Sequence, residues 1–231
     1  MRVAGWHGTT LVDFPSRVAS ILFFAGCNLR CPFCHNPGLV LPELFAPETA
    51  VEFDEILKRI TDRRDFISGV VFTGGEPLMQ PELAEAIAAV RALGLAVKLD
   101  TNGTWPDRLL AVLDQVSYVA LDLKTSPARY LEATGGMADF SSVERSLDLL
   151  RSSAVPYELR TTVVPGLVTL DDIGALVPRV SGAPLYALQS FVSRETLDPA
   201  WTGLGAAAPE LLQEMAALLR PSVKKVIIRS N

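Results

Sequence analysis

Short apolar segments alternate along the chain with segments whose apolar residues recur every three or four positions. Residues 18–25 form an apolar run of strand length, whereas 81–93 is alanine-rich, follows a proline and ends at Gly94, as helices commonly do. The same criteria predict further strands at 69–73, 95–99, 118–123, 157–164, 184–189 and 223–229, and helices at 50–64, 105–113, 141–152, 170–177 and 209–219. The first six strands alternate with helices and are too few for a closed eightfold barrel. The pattern therefore predicts an α/β fold, an open (β/α)6 partial TIM barrel.

Two stretches fall outside this alternation. Residues 1–16 are predicted to form an N-terminal hairpin or short strand. Residues 192–208 have no clear periodicity, and long irregular loops in compact domains are usually functional, so a lid or docking surface is expected there. No linker composition divides the chain, which predicts a single domain over 1–231. The helix at 141–152 is expected to be capped by Ser141.

Composition narrows the function classes. The chain has 231 residues, of which 49% are hydrophobic and 20% charged, enough apolar material for a sizeable core. The net charge of −5 argues against a nucleic-acid or membrane-surface partner. No apolar run reaches membrane-spanning length and no secretory signal is visible, so a cytoplasmic location is expected.

All three cysteines lie in one loop, Cys27, Cys31 and Cys34, in the pattern C-x3-C-x2-C directly after the first apolar strand. Three thiolates on a 4Fe–4S cluster leave one iron open for another ligand. Three alternatives remain: a zinc site completed by the adjacent His35, buried thiols, or a disulfide with one spare cysteine. Neighbouring side chains converge poorly on one tetrahedral ion, and a polar loop containing Pro32 is a poor place to bury thiols. The pattern therefore favours the cluster.

Polar residues also stand at the ends of later predicted strands. They comprise Gly-Gly-Glu at 74–76, Asp-Thr-Asn-Gly at 100–103, Asp122 with Lys124, and Arg160. In parallel α/β folds the carboxyl ends of strands are the usual place for chemistry. Each also has an ordinary structural explanation. Glycines are common at strand ends, Asn-Gly is common in turns, Asp122 and Lys124 could form a simple salt bridge, and Arg160 could lie at the edge of the core.

Together these motifs resemble a known family. C-x3-C-x2-C with Phe33 before the last cysteine resembles the radical S-adenosylmethionine (SAM) superfamily. Cys-His-Asn-Pro at 34–37 and Asp-Thr-Asn-Gly at 100–103 are similar to the activating enzymes of glycyl radical enzymes, including those of pyruvate formate-lyase and anaerobic ribonucleotide reductase. One departure is near the start, where the activases commonly have Val-Asp-Gly-Pro-Gly and this chain has Phe14 and Ser16 in place of the glycines.

The resemblance implies a fold of radical SAM type and a set of site residues. Cys27, Cys31 and Cys34 would hold the 4Fe–4S cluster, and Asp100 and Thr101 would help to hold a monovalent cation beside the SAM carboxylate. The residues implied in cofactor binding are Phe33, Asn36, Gly74, Gly75, Glu76, Asp100, Thr101, Asp122, Lys124, Arg160 and Gln189.

The implied activity is reductive cleavage of SAM to a 5′-deoxyadenosyl radical that removes an α-hydrogen from a glycine of a partner protein. The opening segment 5–15, Gly-Trp-His-Gly-Thr-Thr-Leu-Val-Asp-Phe-Pro, resembles activases assigned to anaerobic ribonucleoside-triphosphate reductase. A flavodoxin or ferredoxin-type protein would donate the electron. The alternatives are a radical SAM enzyme acting on a small molecule, such as a 7-carboxy-7-deazaguanine synthase, and a zinc or iron–sulfur interaction module.

Overall fold

The computed structural model describes residues 1–41, 50–192 and 194–230. Residues 47–49, whose Pro-Glu-Thr sequence predicts the lead into the helix at 50–64, lie outside this part of the chain. The strands are β1 (Arg2–Val3), β2 (Gly5–Thr10), β3 (Ala19–Phe24), β4 (Val51–Glu52), β5 (Gly69–Gly74), β6 (Ala96–Thr101), β7 (Tyr118–Asp122), β8 (Tyr157–Val163), β9 (Tyr186–Ser190) and β10 (Val226–Arg229). The helices are α1 (Pro37–Val40), α2 (Phe53–Thr61), α3 (Leu83–Ala92), α4 (Pro106–Val112), α5 (Tyr130–Ala133), α6 (Ser141–Ser152), α7 (Leu170–Val180) and α8 (Pro209–Leu219).

Eight of the strands form one open sheet in the order β10-β9-β8-β7-β6-β5-β3-β2, with β2 and β10 at its edges. The pairs β3/β5, β5/β6, β8/β9 and β9/β10 are parallel, whereas β2 is antiparallel to β3. The short strands β1 and β4 form a separate antiparallel pair. The predicted open α/β fold is confirmed, and the predicted N-terminal hairpin is completed by β3 rather than within 1–16.

The chain divides into two compact units. Among the described residues, the first comprises 1–28, 38–41, 50–101 and 107–119. Its core includes Phe14, Ala19, Ile21 and Val71, and Phe24 packs edge-on against Phe72 with ring centroids 5.5 Å apart. The alternation of side chains along β3 thus buries apolar residues on both faces, as expected for a strand within a parallel sheet.

The second unit comprises 29–37, 102–106 and the described residues from 120 onward. Helix α7 packs against α8, and the faces of α7 and α8 that carry Ile173 and Met215 are fully buried. On the strands of this unit, the hydroxyl groups of Thr161 and Tyr186 are hydrogen-bonded at 2.6 Å. No helix among the described residues is both long and apolar enough to cross a bilayer.

Local boundaries differ from expectation in two informative places. Asp100 and Thr101 are the last residues of β6 rather than a loop after it. Ser141 is the first residue of α6, so the predicted serine cap is wrong; the N-cap position is Phe140 and makes no capping hydrogen bond. Instead the carboxylate of Asp139 accepts a hydrogen bond of 2.8 Å from the main-chain nitrogen of Ser141.

Candidate functional site

Two glycines bring the end of β5 against the chain that leaves β3. The nitrogen of Gly75 donates to the carbonyl of Phe24, and the nitrogen of Glu76 donates to the carbonyl of Gly26, both at 2.8 Å. A Cβ atom on Gly75 would lie 2.1 Å from that Gly26 oxygen, and Gly74 has φ of +121°. Glycine is required here because another part of the protein's own backbone occupies the space. The cofactor contact predicted for Gly74 and Gly75 stays a prediction.

Glu76 joins the ends of two strands of the first unit. Its side chain is fully buried, and its Oε1 atom accepts hydrogen bonds from the Leu78 nitrogen at 3.0 Å and the Thr101 hydroxyl at 2.8 Å. Gln80, which follows on the same turn, donates to the carbonyl of Ala25 at 2.9 Å. A carboxylate has further acceptor sites. The role in cofactor binding that the resemblance implies for Glu76 stays a prediction.

Asp100 has a partner that sequence analysis missed. The ammonium of Lys98 lies 2.6 Å from its Oδ1 atom, and the two side chains are 2% and 12% exposed. Residues i and i+2 of a strand point to the same face, so the pair is a direct result of the Lys-Leu-Asp sequence on β6. A lysine in an otherwise apolar strand is the signal that could have identified it, since lysine is almost never buried unpaired.

In the second unit, Asp122 lies between two cations. Arg160 Nε is 2.7 Å from its Oδ1 atom, and Lys124 Nζ is 3.0 Å from its Oδ2 atom. Burial alone would raise the pKa of Asp122, but the charges of Arg160 and then Lys124 outweigh it and hold that pKa well below its usual range. The three predicted residues therefore form one charged cluster with two positive groups and one negative group.

Lys124, one of these three charged residues, also interacts electrostatically with Cys31 of the cysteine loop and with Tyr130. Burial favours the neutral amine, but the attraction of Asp122 and, more weakly, of Cys31 raises the pKa of Lys124 above its usual value. Tyr130 is fully buried, and its hydroxyl has no hydrogen-bond partner among the described residues. Burial raises the pKa of Tyr130, so the group is a neutral donor at physiological pH. A buried, unsatisfied hydroxyl is an observation that a missing ligand would explain.

The loop with the last two cysteines is fastened by a distant segment. Cys31 is buried and Cys34 half-buried; the nitrogens of Leu197 and Asp198 donate to the carbonyls of Cys34 and Pro32 at 2.9 and 3.0 Å. Phe33 is buried, with its ring centroid 6.4 Å from that of Trp201. The segment 192–208, predicted to be a lid or docking surface, thus contacts the cysteine loop through the backbone of residues 197 and 198. Residue 193 lies outside the described residues.

Asn36 and Gln189 were also predicted to bind the cofactor. Asn36 is half-buried between the cysteine loop and α1, and Gln189 is half-buried on β9. His35 is exposed. No role for Asn36 or Gln189 follows from these positions.

In the second unit, the side chains around Asp122 suit a charged cosubstrate. Across 1–41, 50–192 and 194–230, no three His, Cys, Asp or Glu side chains form a group that could hold a single metal ion. Thiolates on a cubane each bind a different iron, so they need not converge on one point as the ligands of one ion do. The neutral hydroxyl of Tyr130 and the cations around Asp122 are groups suited to a bound anion or dipole.

Comparison with known proteins gives a consistent result. The family description "Radical SAM superfamily" matches residues 21–177. A Methanocaldococcus jannaschii protein, provisionally named a glycyl-radical enzyme activating enzyme, is 29% identical over 99% of this chain and 95% of its own length. The pyruvate formate-lyase-activating enzyme of Clostridium pasteurianum is 33% identical over 72% of this chain and 70% of its own.

Two further similarities are more limited. The 7-carboxy-7-deazaguanine synthase of Methanopyrus kandleri is 36% identical over 44% of this chain and 47% of its own length. The crystal structure of coproporphyrinogen III oxidase from Escherichia coli matches with a TM-score of 0.62 and 14% identity, covering 91% of this chain and 54% of the other. At that identity the match concerns the fold alone.

Proposed function

The chain belongs to the radical SAM superfamily, and on that basis we propose that it activates a glycyl radical enzyme, with an anaerobic ribonucleoside-triphosphate reductase as the partner. The observation that carries the proposal is the charged group of Asp122, Lys124 and Arg160, which lies in the same unit as Cys31 and Cys34. These charges suit SAM, the charged cosubstrate that the family uses. The name of the M. jannaschii relative, similar over nearly the whole chain, supports the class of partner.

The cluster would be held by Cys27, Cys31 and Cys34, an assignment that rests on their C-x3-C-x2-C spacing. Bound together, a reduced 4Fe–4S cluster and SAM supply a 5′-deoxyadenosyl radical, the species able to take an α-hydrogen from glycine. The protein supplies binding, orientation and the exclusion of competing reactions. Gly74 and Gly75 contribute indirectly, because they position the backbone at Gly26.

The charges of Asp122, Lys124 and Arg160 explain how these three residues would recognise SAM. Arg160 and Lys124 bring two positive charges against the single negative charge of Asp122. The surplus positive charge suits the SAM carboxylate, and a guanidinium can bind a carboxylate through two parallel hydrogen bonds. Asp122 in turn offers acceptor oxygens for the ribose or the ammonium of SAM.

The finer parts of the proposal rest on the resemblance. They are the reductase as the partner, suggested by the sequence of 5–15, and a flavodoxin or ferredoxin-type electron donor. The resemblance also implies a monovalent cation at Asp100 and Thr101, but the cation is not part of this proposal, because the Lys98 ammonium lies 2.6 Å from Asp100 Oδ1.

A small-molecule radical SAM enzyme is the second candidate, since the M. kandleri deazaguanine synthase is 36% identical over part of the chain. The Cys-His-Asn-Pro and Asp-Thr-Asn-Gly motifs favour the activase. A zinc or iron–sulfur interaction module would leave the charged cluster of Asp122, Lys124 and Arg160 without a purpose.

The deciding experiment uses the anaerobically reconstituted protein with SAM, a reductant and a candidate glycyl radical enzyme. Electron paramagnetic resonance should detect a glycyl radical on the reductase, and replacing the target glycine of the reductase by alanine should abolish it. Cys31→Ala is the matched control and should give neither cluster nor radical. A radical on another glycyl radical enzyme alone would change the partner, and 5′-deoxyadenosine without any protein radical would favour the small-molecule enzyme. One zinc and no iron per chain would exclude both.

A further inference from the structure

Within the proposed function, on which this inference rests, the charge balance at the end of β6 points to an internal cation. We infer that the Lys98 ammonium supplies the positive charge beside Asp100, so that this chain binds SAM without a dissolved monovalent cation. The resemblance to the activases implies an ion there, held by Asp100 and Thr101. Both of these residues already have partners within the protein, and the partner of Asp100 is itself a cation.

The first reason is that the carboxylate is already paired. Lys98 Nζ lies 2.6 Å from Asp100 Oδ1, and with 2% of the lysine side chain exposed this is a contact inside the fold. Buried charges are paired, and a lysine at such a position is retained only with a partner. A sodium or potassium ion bound to the same carboxylate would be held close to a like charge that cannot move into water.

The second reason concerns Thr101. Its hydroxyl donates to Glu76 at 2.8 Å, which fixes the direction of its proton and ties the residue to the end of β5. Thr101 is buried and Glu76 fully so. A hydroxyl binds a cation through a lone pair of its oxygen, and the Thr101 oxygen still has one. The position of Thr101, however, is set by its hydrogen bond to Glu76 and does not need an ion.

The third reason is how Lys98 is attached to the fold. It is a central residue of β6 and pairs in register with Val71 of β5, so its backbone is fixed on a paired strand. The ammonium is therefore preorganised, whereas a dissolved ion must be desolvated and captured from solution. Lys98 is a positioning residue in this account: it acts on SAM through Asp100.

The test compares the reconstituted wild type with Lys98→Met, which removes the charge at similar length, and Lys98→Arg, which keeps it. Equilibrium dialysis measures SAM affinity in potassium, sodium or choline chloride at equal ionic strength. We expect the wild-type affinity to be the same in all three salts. Lys98→Met should bind about tenfold more weakly in choline, because one member of a buried pair is lost, and potassium or sodium should restore it. Lys98→Arg should resemble the wild type.

Two results would overturn the inference: a wild type that loses SAM affinity in choline, or Lys98→Met weakened equally in every salt. If Lys98→Met does not take up a cluster, the melting temperature of the cluster-free variant replaces the dialysis. Potassium or sodium should raise the melting temperature of Lys98→Met relative to choline and should leave that of the wild type unchanged. A Lys98→Met melting temperature that is the same in all three salts would count against the inference. The wild-type measurement stays decisive in either case. If SAM binds independently of the salt but no glycyl radical forms on any partner, the proposed function fails while this inference stands.

Discussion

The main-chain nitrogen of Leu197 donates a 2.9 Å hydrogen bond to the carbonyl oxygen of Cys34. Asp198 does the same for Pro32, and Trp201 lies beside Phe33. Residues 192–208 were expected to be a lid or docking surface. Within them, residues 197 and 198 hold the cysteine loop, so shortening this segment would disturb the loop as well as any surface that a partner uses.

Leu197→Pro should loosen the cluster, because proline has no main-chain N–H to donate. Loss of one hydrogen bond costs about 1 kcal/mol, which corresponds to roughly a fivefold change in an equilibrium constant. We expect iron to pass to a chelator several-fold faster from this variant than from the wild type. Leu197→Ala keeps the donor and is the matched control. Equal iron loss from both variants would mean that the hydrogen bond from Leu197 does not matter to the cluster.

Gly75→Ala should be strongly destabilising, because the added Cβ would lie 2.1 Å from the Gly26 oxygen and a backbone atom would have to move. We expect a loss of about 2 kcal/mol or more in the free energy of unfolding, as for other overpacked sites. Gly174→Ala is the control: it lies within α7 with open space around it, and alanine there should stabilise the protein by about 0.5–1 kcal/mol. Denaturant titration measures both, and equal effects would contradict the close approach.

Asp172 should make the stability depend on pH in a defined direction. Burial raises its pKa, but hydrogen bonds from Ser126 and Thr169 outweigh that effect and lower the pKa below its usual value. A carboxylate with a lowered pKa stabilises the fold above its unfolded pKa of about 3.9 and loses that contribution as the pH falls through the folded value. Asp172→Asn should cost about 1–2 kcal/mol at neutral pH.

The difference between wild type and Asp172→Asn should shrink as the pH falls below about 4. Urea titrations at a series of pH values measure it. Asp171→Asn, next along the same helix and exposed, is the control and should change stability by less than about 0.5 kcal/mol. A cost that is constant down to low pH would refute the assignment.

Tyr130→Phe and Tyr186→Phe form a matched pair. Both side chains are fully buried in the second unit, but of the two hydroxyl groups only that of Tyr186 has a hydrogen-bond partner among the described residues, Thr161 at 2.6 Å. Removing an unsatisfied buried hydroxyl relieves a penalty of about 1–3 kcal/mol, so Tyr130→Phe should leave the cluster-free protein as stable or more stable. Tyr186→Phe should lower stability by about 1 kcal/mol. Thermal melts compare them, and a larger loss for Tyr130→Phe would reveal an undetected partner.

Arg160→Met should weaken SAM binding by about tenfold while leaving the iron content unchanged, because it removes one of two cations from Asp122. Arg229→Met is the control, since Arg229 is also an ion-paired arginine of the second unit, with Glu158 at 2.6 Å. It should lower stability without affecting SAM affinity. Loss of iron from Arg160→Met would make this arginine a structural residue instead.

Local sequence signals predicted the elements better than the contacts between them. Helices α6 and α8 have the predicted bounds, and the seven predicted strands exist with ends shifted by three residues at most, because apolar periodicity and proline or glycine boundaries act within a few residues. Asp122 and Lys124 are two residues apart, a spacing that puts side chains of extended chain on one side, and their 3.0 Å contact agrees.

The contacts that sequence reasoning missed depend on residues far apart or on backbone atoms. A main-chain N–H in an irregular segment has no sequence signature, so the bond from Leu197 to Cys34 could not be foreseen. The contact of Lys98 was different, because its spacing from Asp100 is visible in the sequence. The interpretation relied on the Asp-Thr-Asn-Gly motif at 100–103 and left out the lysine that precedes it. The approach of Gly75 to the carbonyl of Gly26 also joins backbone atoms and has no sequence signature.

The bonds from residues 197 and 198 to the cysteine loop also set an order of events in biosynthesis. A ribosome delivers Cys31 and Cys34 early, yet the amides that hold their loop emerge only after residues 197 and 198 have been translated. Until then the loop lacks these two bonds. Delivery of iron and sulfide to this protein should therefore follow the emergence of residues 197 and 198 from the ribosome.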